Sequence, residues 1–229
     1  MARILDNVVP WGRSLGEYAV MFDLSPADMK TKILDCGGGP ASFTAEIHGR
    51  GGHAVACDPS YAFPAGDIRR RVGEVYETMV KSAELHRERF VWKEIESPEH
   101  LGRLRMDAMN RFLDDFPAGI SEGRYRVAEL PSLPFPDREF DLAVCSHFLF
   151  TYSDLFPLEF HVECVRELCR VAHEARIFPL LPNFGTEHSP HLSALTRLLA
   201  AEGYRCEVVR VPHEFQKGGN EMLRVAGPK

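Results

Sequence analysis

One stretch leaves this chain little freedom in what it can fold into. Lys32-Ile33-Leu34-Asp35 reads as a short buried strand that runs directly into Cys36-Gly37-Gly38-Gly39-Pro40. Ala41 to His48 has helical character and is stopped by Gly49 and the Gly51-Gly52 pair. Ala54-Val55-Ala56-Cys57 then reads as a second strand, ending at Asp58-Pro59. Strand, glycine turn, helix, strand is the βαβ unit of a parallel sheet, with a right-handed crossover. Glycines at the carboxyl end of the first strand let the backbone come close to a ligand. An acidic residue at the end of the second strand suits the two hydroxyls of a ribose.

The rest of the chain extends that sheet after an interruption. Ser25, Pro26 and Asp28 predict a helix start just before the first strand. From residue 62 to 123 the alternation breaks. Ile68, Val72, Val75 and Met79 recur at helical spacing, as do Leu101, Leu104, Ala108 and Phe112, with Ser97-Pro98-Glu99 as a cap and Phe116-Pro117-Ala118-Gly119 as an end. We read 62–123 as a helical insertion, either a lid over the ligand or a dimerisation element. Strand character returns over Tyr125 to Leu130 and Phe140 to Ser146. A helix over about Leu155 to Val171 follows, then the strand Ala175 to Leu181. Ser189-Pro190 opens a helix with Leu192, Leu195, Leu198 and Leu199 inward. The strands Arg205 to Phe215 and Glu221 to Ala226 close the chain around Lys217-Gly218-Gly219-Asn220 as an antiparallel hairpin. The expected fold is therefore α/β and doubly wound. Its seven-stranded sheet is mostly parallel, with a C-terminal antiparallel hairpin and a helical insertion. Residues 1–24 form an N-terminal arm and 25–229 the main domain.

Charge and cysteine usage narrow the function classes. The net charge is −6, and residues 66–127 hold 12 basic and 12 acidic side chains, so the remaining 15 and 21 carry all of it. Binding nucleic acid needs a basic face that displaces counterions, so nucleic acid is not an expected partner. No apolar run is long enough for a bilayer. Asp6, Pro10 and Gly12 interrupt what a signal peptide would need, so no membrane association and a cytoplasmic location are expected. Cys36, Cys57 and Cys145 sit in or beside strand-like runs, as small hydrophobes. His161, Cys164, Cys169 and His173 have spacings that raise zinc as a question. The same stretch reads as an amphipathic helix with Leu158, Val162, Val165 and Leu168 inward, and no metal is expected.

Taken alone, the glycine turn and Asp58 would fit NAD, FAD or S-adenosylmethionine. A dinucleotide fingerprint needs glycine at position 42, where this chain has Ser42. Asp35, two residues before Gly37, would repel a pyrophosphate and welcome the ammonium of an amino acid.

Ile33-Leu34-Asp35-Cys36-Gly37-Gly38-Gly39 resembles the first motif of the class I S-adenosylmethionine-dependent methyltransferases, which runs hydrophobic-hydrophobic-acid-x-Gly-x-Gly. Glu129-Leu130-Pro131-Ser132-Leu133-Pro134-Phe135-Pro136-Asp137 with Phe140-Asp141 is similar to a second segment of that family. The resemblance covers roughly 31–60 and 125–226. It implies that Asp35 and the backbone of Gly37 and Gly39 hold the methionine end of S-adenosylmethionine. Asp58 would take the ribose hydroxyls, Pro59 the adenine face, and Glu129 with the Leu130 amide the adenine edge. Ser146 and His147 would border the sulfonium and the acceptor, with His147 as the candidate catalytic residue. Ala41, where many members carry glycine, and Glu129 in place of aspartate depart from the pattern. Trp11, Arg13 and Tyr18 are read either as a packed arm or as a cover for the cofactor.

The implied activity is methyl transfer to an unidentified acceptor, a small molecule first and a protein second, leaving S-adenosylhomocysteine. A non-catalytic cofactor-binding module and, behind it, a nicotinamide-dependent oxidoreductase are the alternatives. A homodimer is compatible with all three.

Overall fold

The computed structural model describes residues 8–228. In chain order its elements are α1 (Leu15–Met21), β1 (Lys32–Cys36), α2 (Phe43–Gly49), β2 (His53–Cys57), α3 (Ala65–Leu85), α4 (Pro98–Ser121), β3 (Tyr125–Arg126), β4 (Phe140–Ser146), α5 (Leu158–Val171), β5 (Ala172–Phe178), α6 (Leu192–Ala201), β6 (Arg205–Arg210) and β7 (Glu221–Ala226). The seven strands form one sheet in the order β3-β2-β1-β4-β5-β7-β6. Pairing is parallel from β3 to β5, while β7 runs antiparallel to both β5 and β6. This is the doubly wound architecture expected from the sequence. The strand order reverses between β1 and β4, so their carboxyl ends open a crevice.

Successive side chains of a strand point to opposite faces, and the central strands use both. Leu34, Ala143 and Cys145 pack with Val165, Leu168, Leu195 and Leu199 of α5 and α6. Ile33, Leu142 and Val144 face the other way, against Leu15, Tyr18, Phe22 and Phe43 from the α1 and α2 side. Near β2 and β3, Ile68 and Val72 of α3 join Met109, Phe112 and Phe116 of α4 around Tyr125. The apolar stripes of both long helices are thus covered in part within the chain, while Leu85 and Ile120 stay exposed. Among the described residues no helix is long and apolar enough to cross a membrane.

Several local expectations give way to context. Residues 15–24 of the N-terminal arm are packed into the body of the fold. Leu15, Tyr18, Met21, Phe22 and Leu24 are buried core, and α1 starts at a capping box in which Ser14 accepts from Glu17 N and Glu17 accepts from Ser14 N. The Ser25-Pro26 start yields only one turn, Asp28–Lys30, because β1 begins at Lys32. Pro117 does not end α4, which runs to Ser121. The last turn stays helical because Phe116 is in the core and Gly119 lies so close to Tyr125 that a Cβ there would be 2.3 Å from the ring. β3 stops after two residues because its partner β2 ends at Cys57. β6 stops at Arg210, not Phe215, since Pro212 lacks the amide a ladder needs. The loop beyond instead crosses to the segment after α3, where Val91 N donates to Phe215 O at 2.7 Å and the Phe90 and Phe215 rings stack. Leu198, read as inward, is exposed.

Candidate functional site

The crevice at the sheet's reversal point is a cavity of about 490 Å³. Its floor is the glycine turn. Gly37 N donates to Cys57 O at 2.8 Å, which ties the turn to the end of β2. Gly37 and Gly39 have φ of 70° and 50°, a region that side chains disfavour. Asp58 follows β2 with both oxygens fixed, one accepting from Gly39 N at 3.0 Å and the other from Ser60 N at 2.8 Å. Tyr61 donates its hydroxyl to Gly39 O at 2.7 Å. Burial raises the Asp58 pKa above the ordinary carboxylate range, and Glu129 nearby adds to it.

Gly37, Gly39, Asp58, Pro59, Glu129, Leu130, Ser146 and His147 all line this one cavity. Asp35 does not. It is buried beneath the turn and accepts from the hydroxyl of Tyr18, which is itself part of the wall, at 3.2 and 3.3 Å. At the end of β4, His147 takes φ of 51°, and its backbone N–H donates to Phe178 O at 2.7 Å. Ser146 Oγ lies 2.9 Å from His147 Nδ1. Burial, followed by the charges of Arg13 and Arg105, holds the His147 pKa well below the usual imidazole value. The ring is therefore neutral at neutral pH.

Burial also pushes the Asp35 pKa up to about 8, with Asp58 adding to the rise and the Tyr18 hydrogen bond opposing it. The unfolded chain releases this proton near 3.8 and the folded one near 8. Between those values the folded state binds more protons, so this carboxyl erodes stability as pH rises. Asp35→Asn should therefore melt at nearly the wild-type temperature near pH 4. By about pH 8 it should melt several degrees higher, at roughly 2–4 °C per kcal/mol for a chain this size. Thermal unfolding across that range measures it, and a lower melting point at the upper end would mean that Asp35 is charged when folded.

Three further groups join the site. Val9, Trp11, Gly12 and Arg13 line the cavity along with Tyr18, so the N-terminal segment covers it. α3 contributes Ile68, Met79 and Ser82 to the opposite wall. Beyond His147, Arg105 of α4 pairs with Glu17 of α1, a meeting of residues 88 positions apart that no local pattern signals. The two histidines among the zinc candidates have other partners. The two His161 ring nitrogens face Pro157 O and Leu149 O at 2.9 and 3.0 Å, and His173 lies beside Arg138.

No protein-family model matches the chain. The uncharacterized protein MJ0045 of Methanocaldococcus jannaschii is 30% identical over 220 residues, which are 96% of this chain and 96% of that one. The chain belongs to the family of that protein. The strand order of this chain, with the reversed terminal hairpin, is the one that the resemblance to the class I S-adenosylmethionine-dependent methyltransferases implies. Solved structures of similar fold include a TehB-like methyltransferase from Corynebacterium glutamicum, at 16% identity, with 93% of this chain and 88% of that one covered and a TM-score of 0.47. Another is magnesium protoporphyrin IX methyltransferase from Synechocystis with bound S-adenosylhomocysteine, at 11% identity, 92% and 80% coverage and a TM-score of 0.46.

Proposed function

We propose that the protein is an S-adenosylmethionine-dependent methyltransferase acting on a small molecule. The observation that carries this reading is Asp58, a carboxylate fixed by two backbone amides, one of them from the glycine turn, at the wall of a ligand-sized cavity. The residues fit the cofactor. The volume lies in the usual range for small-molecule sites. The turn brings bare backbone to the cavity, and Thr151 Oγ1 is buried at its wall with no partner among the described residues. Each Asp58 oxygen keeps a lone pair for a ribose hydroxyl. Pro59 and Leu130 offer apolar sides to adenine and Glu129 its edge, while the backbone of Gly37 and Gly39 would take the methionine end and Asp35, buried beneath them, would support the turn without touching the cofactor. Ser42 engages Glu46 at 2.6 Å where a dinucleotide fingerprint needs glycine, which disfavours a nicotinamide.

Bound there, the cofactor would supply a methyl group on a sulfonium. The protein's share is proximity and exclusion of water. His147 has Nδ1 occupied by Ser146 and stays neutral, so it holds an acceptor by a hydrogen bond through Nε2 rather than acting as a strong base. The acidic net charge favours a small acceptor over nucleic acid.

Thermal shift with S-adenosylhomocysteine, NAD and NADP in parallel tests the cofactor, since a ligand that binds only the folded form raises the melting temperature. Only S-adenosylhomocysteine should do so. Asp58→Ala should weaken its binding at least roughly tenfold by calorimetry, through loss of two charge-assisted hydrogen bonds. Stabilisation by NAD alone would overturn the reading. A metabolite extract that turns S-adenosylmethionine over would separate an enzyme from a binding module.

A further inference from the structure

Two guanidinium groups, the buried Arg105 and the half-buried Arg13, meet beside His147, and one carboxylate faces them. Arg105 is 2% exposed and paired with Glu17, yet its Nε has no hydrogen-bond partner among the described residues. Arg13 stands beside it, and Nη1 donates to Trp11 O at 3.1 Å. An arginine has five N–H donors, so most of Arg13's are uncommitted to the described residues. Burial, then the neighbouring Arg105, lowers the Arg13 pKa to about 9, which leaves it charged at neutral pH. Burial works against the Glu17 charge, but Arg105 and Arg13 hold its pKa at about 2. His213, the other titratable group here, is kept at about 4 by burial, so it is neutral like His147. Among the described residues the cluster therefore carries one uncompensated positive charge.

That charge adjoins empty space. A second cavity, of about 100 Å³, is walled by Arg13, Arg105, His147, His213 and Asn183, with the rings of Phe90 and Phe215 beside them. Arg13, His147 and Asn183 also line the larger cavity, so the two meet there. A buried, unpaired charge and an orphaned donor are both costly. A planar guanidinium answers a carboxylate in two parallel hydrogen bonds. A single surplus charge is balanced by a monoanion.

We infer that the methyl acceptor is a small carboxylic acid whose carboxylate is held by Arg105 and Arg13 in the smaller cavity, with its other end directed past His147 towards the larger one. The inference rests on the larger cavity being the methyl-donor site. The acceptor's body is apolar, to match Trp11, Phe90 and Phe215, which share this wall.

Acetate, small enough for this cavity, is the probe, and acetamide is its neutral counterpart. In protein saturated with S-adenosylhomocysteine, acetate should shift the Arg105 Nε–H resonance in a nitrogen-15 spectrum. It should bind at least about tenfold more tightly than acetamide. Arg13→Gln should weaken acetate by a similar factor. The double variant Arg105→Gln with Glu17→Gln, which removes the guanidinium together with its paired carboxylate, should weaken acetate by at least as much in calorimetry. Equal binding of acetate and acetamide, or no shift at Arg105, would overturn the inference. So would competition between acetate and S-adenosylhomocysteine, because the guanidinium groups would then serve the cofactor's own carboxylate. If the cofactor product fails to bind while acetate still shifts Arg105, the methyltransferase reading falls and the anion site stands.

Discussion

Gly38→Ala should reduce S-adenosylhomocysteine binding by at least about a hundredfold, some 3 kcal/mol, while the far-ultraviolet circular dichroism stays that of a folded α/β protein. A Cβ at Gly38 would lie 2.5 Å from Asp35 Oδ2, 3.0 Å from Asp35 Cγ and 3.2 Å from the Tyr61 hydroxyl. None of these can yield cheaply. Asp35 is enclosed and held by Tyr18, and Tyr61 is tied to Gly39 O. The turn must rise instead, and Gly39 N would then leave Asp58, undoing the arrangement that presents the carboxylate to the cavity. Gly37 differs. A Cβ there meets only Phe148 at 3.6 Å, so its demand is conformational, through its φ of 70°. Calorimetry on the purified variant decides the matter. Affinity within a few-fold of wild type would mean that the turn can relax without loss of the cradle.

That contrast bears on what the sequence makes legible. The motif singles out Gly37 and Gly39 and treats the residue between them as free, since a motif records the ligand side of a turn. The need for glycine at 38 comes from underneath, where Asp35 is packed, and only the assembled fold reveals it. β1, β2 and β4 are readable because strands buried on both faces are runs of apolar residues. The hairpin's first strand is overextended in that reading because apolar content continues past Pro212 into a loop whose Phe215 serves a different cluster. α1 had a local signal, Ser14 three residues before Glu17 and then apolar residues at helical spacing. Its function in covering Asp35 with Tyr18 had none. Arg105 illustrates the limit most sharply. Position 105 falls on the apolar stripe between Leu101 and Ala108, so helical spacing turns it inward, but nothing local names its partner, Glu17, which comes to it from across the molecule.

The N-terminal segment leads to the second large effect. Gly12 is packed against the glycine turn so closely that a Cβ would lie 2.1 Å from Pro40 O, 2.5 Å from Pro40 C and 2.9 Å from Ala41 N. All three are backbone atoms, so the segment or the turn must move. Two hydrogen bonds bracket the contact. Ser42 N donates to Arg13 O at 3.0 Å, and Val9 N donates to the Tyr152 hydroxyl at 3.1 Å. The segment is the weaker partner, because α1 beyond it is anchored by Leu15, Tyr18 and Met21 and the turn is anchored by the sheet. Gly12→Ala should therefore lift residues 8–13 and leave the core in place. With Trp11 and Arg13 displaced from the wall, S-adenosylhomocysteine should bind at least about thirtyfold more weakly. Trypsin supplies an independent readout at Arg13. Wild-type protein should be cut slowly after that residue and more slowly still with S-adenosylhomocysteine present, since cleavage follows local opening. The variant should be cut quickly whether or not the ligand is added. Wild-type affinity combined with fast cutting would separate the two roles, leaving the segment as a cover that the ligand does not need.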